Sequence, residues 1–138
     1  MKWIVCIGEE GGILFHNRRI SRDLEVCKDI LEHLPKGQKL WMHPDSAKLF
    51  AFCEDKRIVV DAGFLQKASQ GEYCFVENGA AAGDFCGVEE IIIYRWNRRY
   101  PWDVRFEETR CKKEFYLDFS TEFAGKSHKK ITKEVYKR

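Results

Sequence analysis

The chain has 138 residues, with 24 Lys plus Arg against 22 Asp plus Glu for a net charge of +2. That is the length of one domain, and the charge is too small to mark a nucleic-acid binder. At 44% hydrophobic and 14% aromatic, the composition excludes disordered and fibrous classes. No apolar run exceeds six residues and Met1–Val5 leads into no signal core, so a soluble, cytoplasmic chain without a membrane segment is expected.

Trp3–Ile7 (WIVCI) is a continuous apolar run ending at Gly8 and the Gly11-Gly12 pair, the pattern of a strand buried on both faces. Residues 13–20 (ILFHNRRI) read as a polar-interrupted connection. Ser21 is placed to cap a helix, with Asp23 and Glu25 in its first turn and an apolar stripe of Leu24, Cys27, Leu31 and Leu34; Pro35 and Gly37 end it. Lys39–Met42 reads as a second strand, His43-Pro44 as a turn, and Asp45 as the cap of a short helix through Phe52. Ile58–Val60 is a third strand, Phe64–Ala68 a helical turn and Tyr73–Val76 a fourth strand, followed by Asn78-Gly79 and the small residues 80–83. The β-branched run Ile91–Ile93, extended to Trp96, is a fifth strand.

Beyond Pro101 the pattern alternates: Phe115, Leu117 and Phe119 share one side, and Ile131, Lys133 and Val135 share another. Joined through Gly125, these segments predict an antiparallel pair. The order predicts a three-layer α/β domain, its central sheet mostly parallel, closed by an antiparallel C-terminal hairpin.

The six cysteines, Cys6, Cys27, Cys53, Cys74, Cys86 and Cys111, are never closer than 12 residues, so no CxxC or zinc-ribbon spacing exists. They read as reduced thiols packing as small hydrophobes, with Cys86 the best placed for redox chemistry. His16, His33, His43 and His128 fall in separate segments and read as surface or hydrogen-bonded groups; no metal is expected. Residues 45–88 carry 4 basic and 7 acidic groups, and 89–138 carry 13 basic and 9 acidic. Lysines of the basic tail suit an edge strand guarded against aggregation.

These pieces, in their order, resemble the dihydrofolate reductase family. The opening strand, the GGILFHN loop and the helix starting Ser-Arg-Asp-Leu resemble its first strand, mobile loop and acidic helix. KLWM resembles its second strand, YCFVENG with AAAGDF its nucleotide-site strand and Gly-rich turn, EEIIIYRWNRRYPWDVRF the next strand, and GKSHKKITKEVYKR the closing hairpin. The resemblance covers residues 1–138 as one domain, shortened between Ile58 and Tyr73 where the family carries much of its adenine-binding subdomain. It implies Asp23 as the catalytic acid, Asn78 and Gly79 at the cofactor turn, and NADPH as cofactor wherever reduction persists.

Departures from the family pattern point elsewhere. The loop Trp before the acidic helix is missing, His43-Pro44 stands at the phosphate-recognising Gly-Arg, and Glu77-Asn78-Gly79 replaces the Gly-Gly-Gly turn, putting a carboxylate where a phosphate would lie. Tyr94 stands at the family's Thr. The expectation is therefore a reductase-like domain that has lost folate reduction, takes no cofactor, and binds a small anionic or nucleotide-like ligand or a partner. Arg19, Arg22, Tyr94, Arg95 and Trp96 are the candidate ligand-binding residues, gathered at the carboxyl ends of the parallel strands. One alternative is an NAD(P)H-dependent reductase of a pterin or pyrimidinone. Another is an RNA-binding or RNA-cleaving protein using the Arg–Trp segment, whose affinity would fall steeply with salt. A second resemblance is to small bacterial proteins labelled ribonuclease Z, but the clustered histidine motif for two metals is absent. Asp23 stays open between a functional acid and a helix cap.

Overall fold

The structure is a computed structural model describing residues 1–138. Its central sheet has seven strands in the order β5-β4-β6-β1-β7-β10-β9. They are β1 (Lys2–Ile7), β4 (Leu40–Met42), β5 (Ile58–Val60), β6 (Tyr73–Phe75), β7 (Glu90–Arg95), β9 (Tyr116–Phe123) and β10 (Ile131–Lys137). The first five are mutually parallel and β10 runs antiparallel to both β7 and β9. The mostly parallel sheet with an antiparallel C-terminal hairpin is thus as the sequence implies.

Alternation along β1 explains the layering. Trp3, Val5 and Ile7 join one buried cluster with Phe64, Phe85, Phe106 and Cys111. Ile4 and Cys6 join the other, with Val26, Cys27 and Ile30 of helix α1 (Leu24–His33) and with Phe50. A strand covered on both faces needs apolar side chains in both registers, hence the unbroken WIVCI run. Helices α3 (Phe64–Lys67) and α4 (Glu108–Glu114) supply Phe64 and Cys111 to the first cluster. Residues 61–72, between β5 and β6, hold no regular element but α3.

Several expectations change. Residues 13–20 are not a plain connection: β2 (Gly12–Phe15) and β3 (Arg18–Arg19) form a hairpin, and β8 (Val104–Arg105) pairs with β2 to make a second sheet. Its two-residue turn puts His16 (φ 52) and Asn17 (φ 61) in the left-handed region, the geometry that matches strand twist. Gly12 is required by close approach, since a Cβ there would lie 2.5 Å from Trp102 Cβ.

Ser21 does not cap α1. Asp23 does, its side chain accepting from the Glu25 amide, so Asp23 precedes the first turn. The buried stripe is Val26, Cys27, Ile30 and Leu34, with Leu24 and Leu31 half-buried beside it; the apolar arc is broad and the sheet takes its centre. His43, not Asp45, caps the next helix, α2 (Pro44–Ala47), which continues as a 3-10 turn over Lys48–Phe50. A bulge breaks the expected alternation of Leu117 and Phe119, which pair with the adjacent residues Tyr136 and Val135, and each is 49% exposed because β9 is the sheet edge. Cys86 is exposed rather than packed in the core.

Candidate functional site

The site is built around the capping residue of α1. Asp23 Oδ1 accepts the amides of Glu25 and Lys126, both at 2.9 Å. Its Oδ2 accepts the Ser127 amide at 2.8 Å, the Ser127 hydroxyl at 3.1 Å and His128 Nδ1–H at 2.9 Å. The loop from Gly125 to His128 therefore wraps the carboxylate, and Gly125 makes this possible: a Cβ there would sit 2.5 Å from Asp23 Oδ2 and 2.7 Å from Ile131 Cδ1. Burial by itself would raise the Asp23 pKa. The donated hydrogen bonds from Lys126, His128, Ser127 and Glu25 outweigh it and hold the carboxyl far below its ordinary range.

The network continues outward. His128, 3% exposed, stacks on Trp96 with ring centroids 4.6 Å apart. Its Nε2 lies 2.8 Å from the Tyr100 hydroxyl and 3.0 Å from Ser21 Oγ, which are themselves 3.0 Å apart. Neither Ser21 nor His128 stands out by local pattern, because they lie 107 residues apart in sequence. The compact Gly-Lys-Ser-His run between two strands was the available signal.

Beside Asp23 opens a pocket of about 340 Å³ lined by Arg22, Leu24, Cys27, Lys48, Leu49, Lys126 and Ser127. Three of these are cations, none in an ion pair, and the one carboxylate of the lining is Asp23. Burial, then the negative charge of Glu77, pushes the Cys27 thiol up to about 12, so it faces the pocket as a neutral group. Inward lies a recess of only about 10 Å³ among Cys6, Ser21, Phe75, Glu77 and Trp96, sharing Arg22, Asp23, Cys27 and Leu49 with the pocket. That is room for one water at most.

The remaining sequence candidates scatter. Arg19, on β3, makes two hydrogen bonds to Glu77 at 2.9 and 3.0 Å and one to the Asp45 carbonyl at 2.8 Å. Ser46 Oγ donates to the same Glu77 at 2.7 Å. The crevice between the ends of β4 and β6 is thus filled by the protein's own ion pair. Asn78 caps the 3-10 turn Gly79–Ala82 by accepting from the Ala80 amide at 2.9 Å, while a side chain at Gly79 would meet nothing within 4 Å. Tyr94 does not reach Asp23: its buried hydroxyl donates to Asp29 at 2.6 Å, where Lys133 also pairs at 3.0 Å. Arg95 bridges Glu108 of α4 and Glu134 of β10, away from the pocket. Trp96 is 3% exposed and covered by the His128 ring, so it offers a ligand no stacking face. Only Arg22 of the five ligand candidates lines the pocket with Asp23. Asp29, Glu32 and His33 come within 4.8 Å at the end of α1, but Asp29 is already engaged.

No family model matches the chain, and no curated protein matches its sequence. Among solved structures, it is similar to dihydrofolate reductase from Enterococcus faecalis, complexed with NADP(H) and RAB-propyl. The likeness covers 99% of this chain and 95% of that one, with a TM-score of 0.68 at 9% identity. No helix here is long and apolar enough to cross a membrane. With that TM-score over nearly the whole of both chains, the chain has the dihydrofolate reductase fold.

Proposed function

We propose that this is a reductase-fold protein that binds a small organic anion, a carboxylate or phosphate ester, in the pocket at the start of α1, and has lost folate reduction. The observation that carries this reading is the charge of the pocket. Arg22, Lys48 and Lys126 line it, and the Asp23 carboxylate is engaged by four donors of the loop 126–128 and by the Glu25 amide. An anion entering there gains three cations in a partly enclosed space, where screening is weaker than in bulk solvent.

The neighbour's cofactor fits this chain poorly. A diphosphate needs free amides and no fixed negative charge. Glu77 stands beside the turn, and Asn78 already engages the Ala80 amide. The Arg19 guanidinium, the one cation at this crevice, is neutralised by Glu77. An acid for a heterocycle is also wanting, since Asp23 is held ionised and hydrogen-bonded on both oxygens. These features support a ligand-binding role over the alternative of a pterin or pyrimidinone reductase.

Calorimetry with a panel of mono- and dicarboxylates, sugar phosphates and nucleotides tests the reading. Binding that weakens with salt and is lost when Lys48 and Lys126 become Glu is the expected result. Steady NADPH consumption with a pterin, or saturable NADPH binding below millimolar concentration, would replace it with the reductase reading.

A further inference from the structure

Three side chains form a continuous line that neither a helix cap nor an anion pocket requires. Asp23 Oδ2 meets His128 Nδ1 at 2.9 Å, and His128 Nε2 meets Ser21 Oγ at 3.0 Å. We propose that Ser21 is a nucleophile for acyl transfer, with His128 its general base and Asp23 the group that positions the imidazole, acting on a small ester that carries an anionic group. The anionic part of the substrate rests on the reading of the pocket given above; the reactivity of Ser21 does not.

The tautomer follows from the surroundings. Asp23 is an ionised acceptor, so the nitrogen facing it, Nδ1, carries the proton, and Nε2 presents its lone pair to Ser21 and Tyr100. Nε2 accepts one hydrogen at a time. Ser21 gives its proton to Nε2 directly, or through the Tyr100 hydroxyl, which is 3.0 Å from Ser21 Oγ and 2.8 Å from Nε2. Stacking on Trp96 and burial at 3% exposure fix the ring. Such an arrangement is identified by geometry and roles rather than by order in the chain. Ser21 is half-buried, not sealed, and lines the recess that shares Arg22, Asp23, Cys27 and Leu49 with the pocket. An ester held by its anionic end among Arg22, Lys48 and Lys126 reaches Ser21 by widening the water-sized recess across that shared wall.

The steps balance without a further reagent than water. Ser21 Oγ bonds to the carbonyl carbon as its proton passes to His128 Nε2. The tetrahedral oxyanion collapses, the bond from carbon to the leaving oxygen breaks, and the imidazolium returns its proton to that alkoxide. Water then adds to the acyl-serine with His128 again as base, releasing the carboxylic acid and restoring Ser21. Arg22 lines both cavities and can supply donors to the oxyanion.

A fluorophosphonate probe on the full chain, read by intact mass and peptide mapping, tests the nucleophile, and hydrolysis of p-nitrophenyl acetate tests turnover. One label mapped to Ser21, lost in Ser21→Ala, retained when the exposed serine of edge strand β9 is changed (Ser120→Ala) and slowed by about 100-fold or more in His128→Gln is the expected result. Since His128→Gln removes a buried partner and can unfold the loop, Tyr100→Phe gives the second reading: it keeps the imidazole and must leave labelling sensitive to pH. No label on Ser21 between pH 6 and 9, or labelling at a rate indifferent to both variants and to pH, overturns the proposal. The Lys48→Glu, Lys126→Glu double variant separates the two readings. If it still labels at Ser21 but shows the same preference between neutral and anionic esters as the parent, the pocket reading fails and the nucleophile stands. If the parent binds anions without labelling, the nucleophile fails alone.

Discussion

The two halves of the cleft at the carboxyl ends of the parallel strands satisfy a carboxylate in opposite ways. Between β4 and β6, Glu77 is answered by a cation, Arg19, brought in on the β2–β3 hairpin, and by Ser46. Beside α1, Asp23 is answered by backbone amides, a hydroxyl and an imidazole from one loop. The first solution uses up the local positive charge and fills the space. The second leaves Arg22, Lys48 and Lys126 without carboxylate partners, and a pocket of about 340 Å³ stays open. What separates a closed crevice from a binding site here is the kind of donor that satisfies the acid.

That contrast is broken most severely at Asp23. Asp23→Ala removes the acceptor of five hydrogen bonds and leaves the buried His128 Nδ1–H and two part-buried loop amides without it. The cost should be about 1–3 kcal/mol for each buried donor left unsatisfied, so the sum exceeds that of a single broken contact. Glu77→Ala leaves Arg19 its contact to the Asp45 carbonyl and a partly open side chain, so about 1–3 kcal/mol is expected. Urea unfolding of both variants measures the order. Equal losses would mean that the loop 125–128 does not depend on its carboxylate.

Acid should separate the halves as well. The Asp23 pKa in the folded chain lies far below its ordinary value of 3.8, whereas the unfolded chain titrates near that value. Its stabilisation is therefore complete above about pH 5 and is lost as pH falls toward the folded value, because the unfolded state then binds the proton more readily. Melting temperatures from pH 6 to pH 2 should fall for the parent chain. In Asp23→Asn the fall should be shallower, the curves converging at the acid end. Parallel curves would show that other carboxylates set the acid limit.

The sequence made the buried frame legible and the site only partly so. WIVCI, KLWM and EIIIY announce themselves because a strand covered on both faces has no polar register. β2, β3 and β8 are two to four residues long, too short for a period to show. Helix α4 hides because ETRCKKE buries only Cys111. Asp23 was reached through the family resemblance, but the same resemblance tied it to Tyr94. The phenol, longer than the threonine it replaces, delivers its hydroxyl to Asp29, farther along α1. His128 and Ser21 escaped because their meaning exists only across 107 residues of chain.

The smallest effect on stability should accompany a clear effect on binding. Lys48 is exposed at the pocket rim and carries no ion pair, so Lys48→Ala should change unfolding by no more than about 0.5 kcal/mol. The pocket nevertheless loses one of three cations. Affinity for a carboxylate or phosphate ester should fall several-fold, and the dependence of binding on salt should flatten, since fewer charges remain to be screened. Calorimetry at low and high salt, set beside urea unfolding of the same variant, reads both quantities. A destabilised Lys48→Ala would mean that the lysine is structural, as Arg19 is, and the difference between the two halves of the cleft would vanish.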